Sequence, residues 1–317
     1  MRAAVIESPG RASVKTLQVP APASREVRVR VEGCGVCGSD LALWLGQPWF
    51  SYPATPGAPG HEGWGRIDAV GDEVSGLHRD ARVAFLSSRA YAQYALAPTD
   101  QLVPLPESSR DRPFPAESLG CAMNAFRRSD IRAGQTVAIV GAGFLGLLLV
   151  QLAHRAGARV IVISRRPFAL DLARRFGVVA TVRLDDPWHV AAEVRGLTRG
   201  EGAERVIEAA GTQAALDLST ELTAERGRLI IVGYHQDGAR TVNMQLWNWR
   251  GLDVVNAHER APGAYVQGMR DAIDAVESGR LDPWPLYTHA FALDELDHAL
   301  DALRRRPGGF LKGLVIP

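Results

Sequence analysis

Lysine is nearly missing from this chain of 317 residues. Of its 36 basic side chains only Lys15 and Lys312 are lysines, the rest being arginine. A mechanism built on a Schiff-base or general-base lysine is therefore not expected. Cysteine is scarce too. Three residues, Cys34, Cys37 and Cys121, exclude a disulfide framework and suit a reducing cytoplasm. Net charge is lacking: 36 basic against 35 acidic groups leave +1. That balance argues against nucleic acid or an anionic membrane surface as a partner. No long hydrophobic run exists. The longest, Phe144 to Ala153, contains Gln151 and is too short to span a bilayer. The amino terminus, Met1 to Ile6, reads as a strand with no apolar signal core. Repeats and low-complexity segments are absent, and glycine and proline are spread along the chain rather than clustered, which excludes extensive disorder.

What is present is a core-forming composition, 46% hydrophobic and 22% charged. The length allows one large domain or two ordinary ones. Up to about residue 113 the pattern is short and β-like. Val27-Arg28-Val29-Arg30-Val31 alternates apolar and charged residues as a half-buried strand does. Gly, Pro, Asp and Ser break the segments at the spacing of an all-β fold. Pro104, Pro106, Pro113 and Pro115 mark a boundary. After residue 117 the rhythm changes. Apolar strands are predicted at Thr136 to Val140, Arg159 to Ile163, Arg205 to Glu208 and Arg228 to Val232. Helices are predicted at Leu147 to Ala156 and at Pro167 to Phe176, the second stopping at Gly177. Alternating strands and helices predict a parallel α/β sheet. The last residues, Gly313 to Pro317, read as a strand returning to the first domain.

Two constellations carry chemistry. The first is Gly141-Ala142-Gly143-Phe144-Leu145-Gly146, placed after a predicted strand and opening a predicted helix. In that context Gly141 serves the tight turn, Gly143 the close approach of a pyrophosphate, and Gly146 the packing of helix on strand. The helix N-terminus offers unpaired N–H groups to phosphates. At the end of the next strand a dinucleotide fold usually carries an acid for the ribose 2′-hydroxyl. Here Ser164-Arg165-Arg166 stands instead, with no carboxylate to repel a 2′-phosphate and two guanidiniums to pair with one. This favours NADP over NAD. A solvated surface pair in an arginine-rich protein is the alternative.

The second constellation is Cys37-Gly38-Ser39-Asp40 with Gly60-His61-Glu62. Thiolate, imidazole and carboxylate are ligand types that Zn²⁺ takes, and Glu117 is a further carboxylate in reach of the argument. By composition alone, a lone Cys and a lone His are more often packing residues. Cys34 and Cys37 also make a C-x-x-C spacing, but no thioredoxin-like unit surrounds it.

Cys-Gly-Ser-Asp, Gly-His-Glu and the Gly141 loop, in this order, resemble the medium-chain dehydrogenase/reductase superfamily, and within it the zinc-dependent sorbitol and threonine dehydrogenase branch. The stretch from Glu117 to Ala125 is similar to that branch's Glu-Pro-Leu segment, with Ser118 in place of Pro. Tyr91 to Pro98 and Gly308 to Lys312 resemble further family strands, so the likeness covers essentially the whole chain. The resemblance implies a GroES-like β domain over 1–116, a Rossmann domain over 117–284 and a return to the first domain over 285–317, with the active site in the cleft between. It implies Cys37, His61, Glu62 and Glu117 around one catalytic zinc, with Glu62 a ligand or an exchanging neighbour. Asp40 would orient His61, and Ser39 would hydrogen-bond the substrate hydroxyl and pass its proton outward. The function implied is zinc-dependent, NADP(H)-linked oxidoreduction of a secondary alcohol or ketone, a polyol, sugar or cyclitol derivative, by a homo-oligomer (dimer or tetramer).

Two departures from the family stand out. The lobe of four cysteines that binds a structural zinc is missing, since Val83 to Ser88 runs almost directly into Tyr91. One zinc per chain is expected, with no structural zinc. A relay histidine shortly after Asp40 is also missing, as Leu41-Ala42-Leu43-Trp44 contains none. Cys121 is a fallback third ligand, with a structural role the favoured alternative. Trp44 and Trp49 are candidates to line a substrate pocket, with core aromatics as the alternative. Trp247 to Arg250 and Asn256 to Arg260 are polar and aromatic, which suits a hydroxyl-rich substrate or a plain surface loop. Two rival readings remain: a zinc-independent quinone or enone reductase of the same fold, and a non-catalytic dinucleotide-binding protein.

Overall fold

The computed structural model describes residues 1–317. In chain order its elements begin with β1 (Arg2–Ser8), β2 (Arg11–Thr16), β3 (Glu26–Gly35), α1 (Asp40–Trp44), β4 (Glu62–Val70), β5 (Arg82–Phe85), β6 (Tyr94–Pro98) and β7 (Leu102–Pro104). There follow α2 (Ala116–Ser129), β8 (Thr136–Val140), α3 (Phe144–Arg155), β9 (Arg159–Ser164), α4 (Pro167–Arg175), β10 (Ala180–Arg183), α5 (Pro187–Leu197), β11 (Ala203–Glu208), α6 (Gln213–Leu222) and β12 (Thr223–Ile231). The chain closes with α7 (Met244–Arg250), β13 (Asp253–Asn256), α8 (Pro262–Glu277), β14 (Tyr287–Ala292), α9 (Leu296–Arg305) and β15 (Lys312–Ile316).

Two compact units result. The first comprises Met1–Gly120, Ala261–Glu277 and Pro283–Pro317. Its main sheet runs β14-β15-β3-β4-β5-β7, with β6 also paired to β3, and β1 and β2 form a separate hairpin. The alternation in β3 works as the sequence predicts: Val27, Val29 and Val31 are buried, while Arg28 and Arg30 point away from the core. The final strand β15 does return to this unit, pairing antiparallel with β3.

The second unit, Cys121–Arg260 with Ser278–Asp282, holds a six-stranded parallel sheet of order β10-β9-β8-β11-β12-β13. Val137 to Val140 are buried almost completely, as a strand covered on both faces requires. Strand order reverses between β8 and β11, so the crevice beyond the carboxyl ends of these two strands is where a dinucleotide fold binds its ligand.

The division departs from the sequence boundaries. Helix α8 falls inside 117–284 yet belongs to the first unit, where it packs against β7 and the turn Thr99–Gln101. A helix that follows a parallel strand reads as one more crossover helix, and only packing shows that it leaves that sheet. The first boundary lies inside α2, at Gly120 rather than 116. Strand β12 also starts five residues before the predicted Arg228, with its register against β11 broken between Ala203 and Arg205. No helix is long and apolar enough to cross a membrane.

Candidate active site

Strand pairing assembles the first site. In the register of β3 on β4, Gly35 faces Glu62, which sets the Cys37 loop beside His61 and Glu62. One ligand atom from each of Cys37, His61 and Glu62 lies within 4.8 Å of the other two. β15 adds itself on the other edge of β3 and brings Lys312 to the same place. The Lys312 ammonium donates to Glu62 Oε1 at 2.5 Å and to the carbonyl of Val36 at 3.0 Å. Gly35 is needed here because a Cβ would stand 2.0 Å from Glu62 Oε2.

The donor set passes a test of fit for a cation. Glu62 is fully buried, and its Oε2 has no hydrogen-bond partner. A buried acceptor left open beside a thiol and an imidazole is what a metal ion would satisfy. His61 Nδ1 faces the Pro59 carbonyl at 3.0 Å and Asp40 Oδ1 at 3.3 Å, leaving Nε2 as the ring nitrogen available for ligation. The Asp40 contact is an ion-pair distance without hydrogen-bond alignment, since Oδ1 has no aligned donor. Burial alone would lower the His61 pKa. The Asp40 carboxylate and then Cys37 outweigh it and hold the ring well above its ordinary value, so the local field favours positive charge.

Asp40 is itself fixed from behind. It is 1% exposed, and its Oδ2 accepts from the Cys37 backbone N–H at 2.9 Å and from the Tyr91 hydroxyl at 2.6 Å. Burial, with the charge of Asp40 next, pushes the Tyr91 pKa well above normal, so the phenol stays a donor. Ser39 precedes α1 without making a side-chain cap, and it is partly exposed. Glu117, in the first turn of α2 and 8% exposed, is outside the three-residue group, although its charge reaches Lys312. Cys34 is buried and unpaired, with desolvation raising its thiol pKa far above normal, so a C-x-x-C redox pair has no reactive partner here. Cys121 lies on α2, partly exposed and in no disulfide.

Of the two tryptophans that the sequence offers either to a substrate pocket or to the core, Trp44 takes the core place. It is 3% exposed in the core of the first unit, and its indole N–H donates to Asp301 at 3.2 Å. Trp49 is 58% exposed beside Phe50. In the late polar stretch, Trp247 packs in the second core and bonds Thr220, while Arg250 holds the carbonyls of Thr220, Glu221 and Thr223. Those two are structural.

The second site is the turn after β8. Gly141 has φ +112°, and a Cβ there would meet the backbone of Ala209 at 2.9 Å. A Cβ on Gly146 would lie 1.9 Å from the Gly141 carbonyl, so helix and turn pack closer than any side chain allows. Gly143 differs: a Cβ there would meet nothing. It is the N-cap of α3, which opens with Phe144 and Leu145, and supplies no side-chain cap, the kind of helix end that suits an anion. Ser164 ends β9, and its hydroxyl accepts from the Arg166 backbone N–H at 3.2 Å. The Arg166 guanidinium reaches back to the carbonyl of Ala142 at 3.0 Å, joining both parts of the nucleotide motif. Arg165 is exposed.

Sequence reasoning passed over Lys312, Tyr91, Glu208 and His235. Rarity was the available signal for Lys312, one of two lysines in a chain that otherwise uses arginine.

Comparison with known proteins gives the family of the chain. Residues 23–107 match the alcohol dehydrogenase GroES-like domain, and residues 145–275 match the zinc-binding dehydrogenase domain. The chain belongs to the zinc-type medium-chain dehydrogenase/reductase superfamily. An alcohol dehydrogenase of Cupriavidus necator is 27% identical, over 100% of this chain and 99% of that one. A sorbitol dehydrogenase of Bacillus subtilis is 26% identical, over 100% and 97%. A structure described as a zinc-binding dehydrogenase from Sinorhizobium meliloti 1021, bound to NADP, is 29% identical with a TM-score of 0.85, over 100% and 99%.

Proposed function

We propose that this dehydrogenase is a zinc-dependent, NADP(H)-linked enzyme that interconverts a secondary alcohol and its ketone, with a polyol, sugar or cyclitol derivative as substrate. The observation that carries the zinc reading is the buried, unpartnered Oε2 of Glu62 beside Cys37 and His61. Relatives named alcohol and sorbitol dehydrogenase support the substrate class, and an NADP-bound neighbour supports the cofactor.

When bound, zinc would supply the Lewis acid that lowers the alcohol's pKa, and the nicotinamide would supply the hydride carrier. The protein's own part is positional. Cys37, His61 and Glu62 would hold the metal, with one position left for substrate. Lys312 occupies Glu62 Oε1, so Oε2 is the oxygen Glu62 can offer. Asp40 orients the imidazole, and Tyr91 holds Asp40. The partly exposed Ser39 would take the proton from the substrate hydroxyl and hand it to water. In the second unit the uncapped start of α3 would receive the pyrophosphate, and Arg165 with Ser164 and Arg166 would receive a 2′-phosphate.

Elemental analysis of protein purified without chelator tests the metal reading. About one zinc per chain is expected. A value near zero that added zinc does not restore would reject it and direct the search to quinones and enones. Tyr91→Phe is expected to lower zinc affinity about tenfold, read by competition with a chelating dye, because outer hydrogen-bond partners of a ligand typically matter at that scale. Unchanged affinity would remove Tyr91 from the account. Arg165→Glu places a carboxylate where a 2′-phosphate would sit. The ratio of kcat/KM for NADP over NAD should fall by more than about tenfold, and an unchanged ratio would return Arg165 to the role of a solvated surface residue.

A further inference from the structure

The crevice of the second unit has two sides. The glycine loop after β8 and the Ser164–Arg166 stretch after β9 occupy one. Across the reversal of strand order stand the loops after β11 and β12. A dinucleotide lying over this crevice with its adenine half toward β9 has its nicotinamide half toward those two loops.

A closed ring of hydrogen bonds joins them. Glu208 ends β11 and is fully buried. Its Oε1 accepts from the backbone N–H groups of Ala210 at 2.8 Å and Gly211 at 2.7 Å. Its Oε2 lies 2.8 Å from Nε2 of His235, in the loop after β12. Nδ1 of His235 accepts from Arg240 Nε at 2.9 Å. Arg240 then returns to the first loop, donating from Nη2 to the Gly211 carbonyl at 3.3 Å, and it also donates to Asp237 at 2.5 Å. An ionised Glu208 only accepts and an arginine only donates. His235 therefore accepts from Arg240 at Nδ1 and donates to Glu208 from Nε2. The loops also touch through backbone. A Cβ on Gly233 would be 2.3 Å from the Gly211 nitrogen, and one on Gly211 would be 2.6 Å from the Tyr234 carbonyl.

We propose that Glu208, His235 and Arg240 form a latch that holds the loops after β11 and β12 in the shape that receives the nicotinamide half of the cofactor. His235 is its positioning residue. The proposal rests on the dehydrogenase reading of this same crevice. A charged, fully satisfied ring lets these loops stay ordered before ligand arrives, so binding does not have to order them. A purely structural bond would instead stabilise the whole unit without regard to which half of the ligand is present.

The test compares two ligands that share the adenine half. NADPH carries the nicotinamide ribose and ring, and adenosine 2′,5′-bisphosphate lacks them. In His235→Phe the Kd for NADPH is expected to rise about tenfold while that for the bisphosphate stays within twofold, with the melting temperature recorded alongside. His235→Gln keeps a donor for Glu208 and an acceptor for Arg240, and should recover most of the NADPH affinity. Unchanged NADPH affinity in His235→Phe overturns the latch. So does a parallel loss for both ligands that follows a fall in stability, which marks a structural role only. Should His235→Phe fail to fold, Arg240→Met is measured in its place against the same two ligands and outcomes. Failure of the unaltered protein to bind either ligand, or their NADH and AMP counterparts, overturns the cofactor reading itself.

Discussion

Replacing Cys37 by alanine should empty the metal site and stop turnover while leaving NADPH binding in place. Cys37 is the only thiolate donor in the three-residue group, and the two remaining donors, His61 and Glu62, make a poor zinc site alone. A zinc Lewis acid held there would contribute several kcal/mol at the transition state, so kcat/KM is expected to fall about a thousandfold or more. The cofactor side is spared because Cys37 belongs to the first compact unit and Gly141 to Gly146 to the second. Zinc content, steady-state rates and NADPH fluorescence titration on one preparation check all three parts. Full activity in this variant would end the zinc mechanism, and lost NADPH binding would show that the two sites are not independent.

Lys312→Met should be the most destabilising single change at the site. It removes the ammonium from a carboxylate with no exposure and leaves Glu62 buried and charged without a partner. Breaking a buried pair from one side costs about 3–5 kcal/mol. Burial alone would lower the Lys312 pKa, but Glu62 and then Cys37 raise it above the ordinary lysine value. The pair's contribution is therefore fully present below the unfolded-state lysine pKa and fades only as pH rises through the raised folded value, so unfolding at neutral pH sees all of it. Urea unfolding of zinc-free protein measures the loss. Pairing the change with Glu62→Gln should restore most of it, because the uncompensated charge is gone. Added zinc should narrow the gap for Lys312→Met alone, since a cation then faces Glu62 in place of the lost ammonium. A loss below about 1 kcal/mol would mean that Glu62 takes up a proton or reaches water instead of staying charged and buried.

The nucleotide half was legible because its signals are local. An apolar strand, three glycines at fixed offsets and a following helix lie within one stretch. The metal half was legible only through the likeness of Cys37, His61 and Glu62 to a family. The sequence places Cys37 and His61 24 positions apart, and nothing in their spacing makes them meet. Trp44 fits a pocket or the core equally on sequence for the same reason: an aromatic in a loop-rich stretch carries no mark of which way it turns.

The sequence by itself determined the two-part architecture, the parallel sheet, the glycine turn and the types of donor available, because periodicity and turn chemistry are properties of neighbouring residues. Tertiary structure alone decided that α8 leaves the parallel-sheet unit, that Lys312 reaches Glu62 across 250 positions, that Tyr91 holds Asp40, and that His235 closes a ring with Glu208 and Arg240. Each of these depends on which strand pairs with which and in what register. A register is fixed by the burial of whole faces, and no pair of residues distant in sequence announces it.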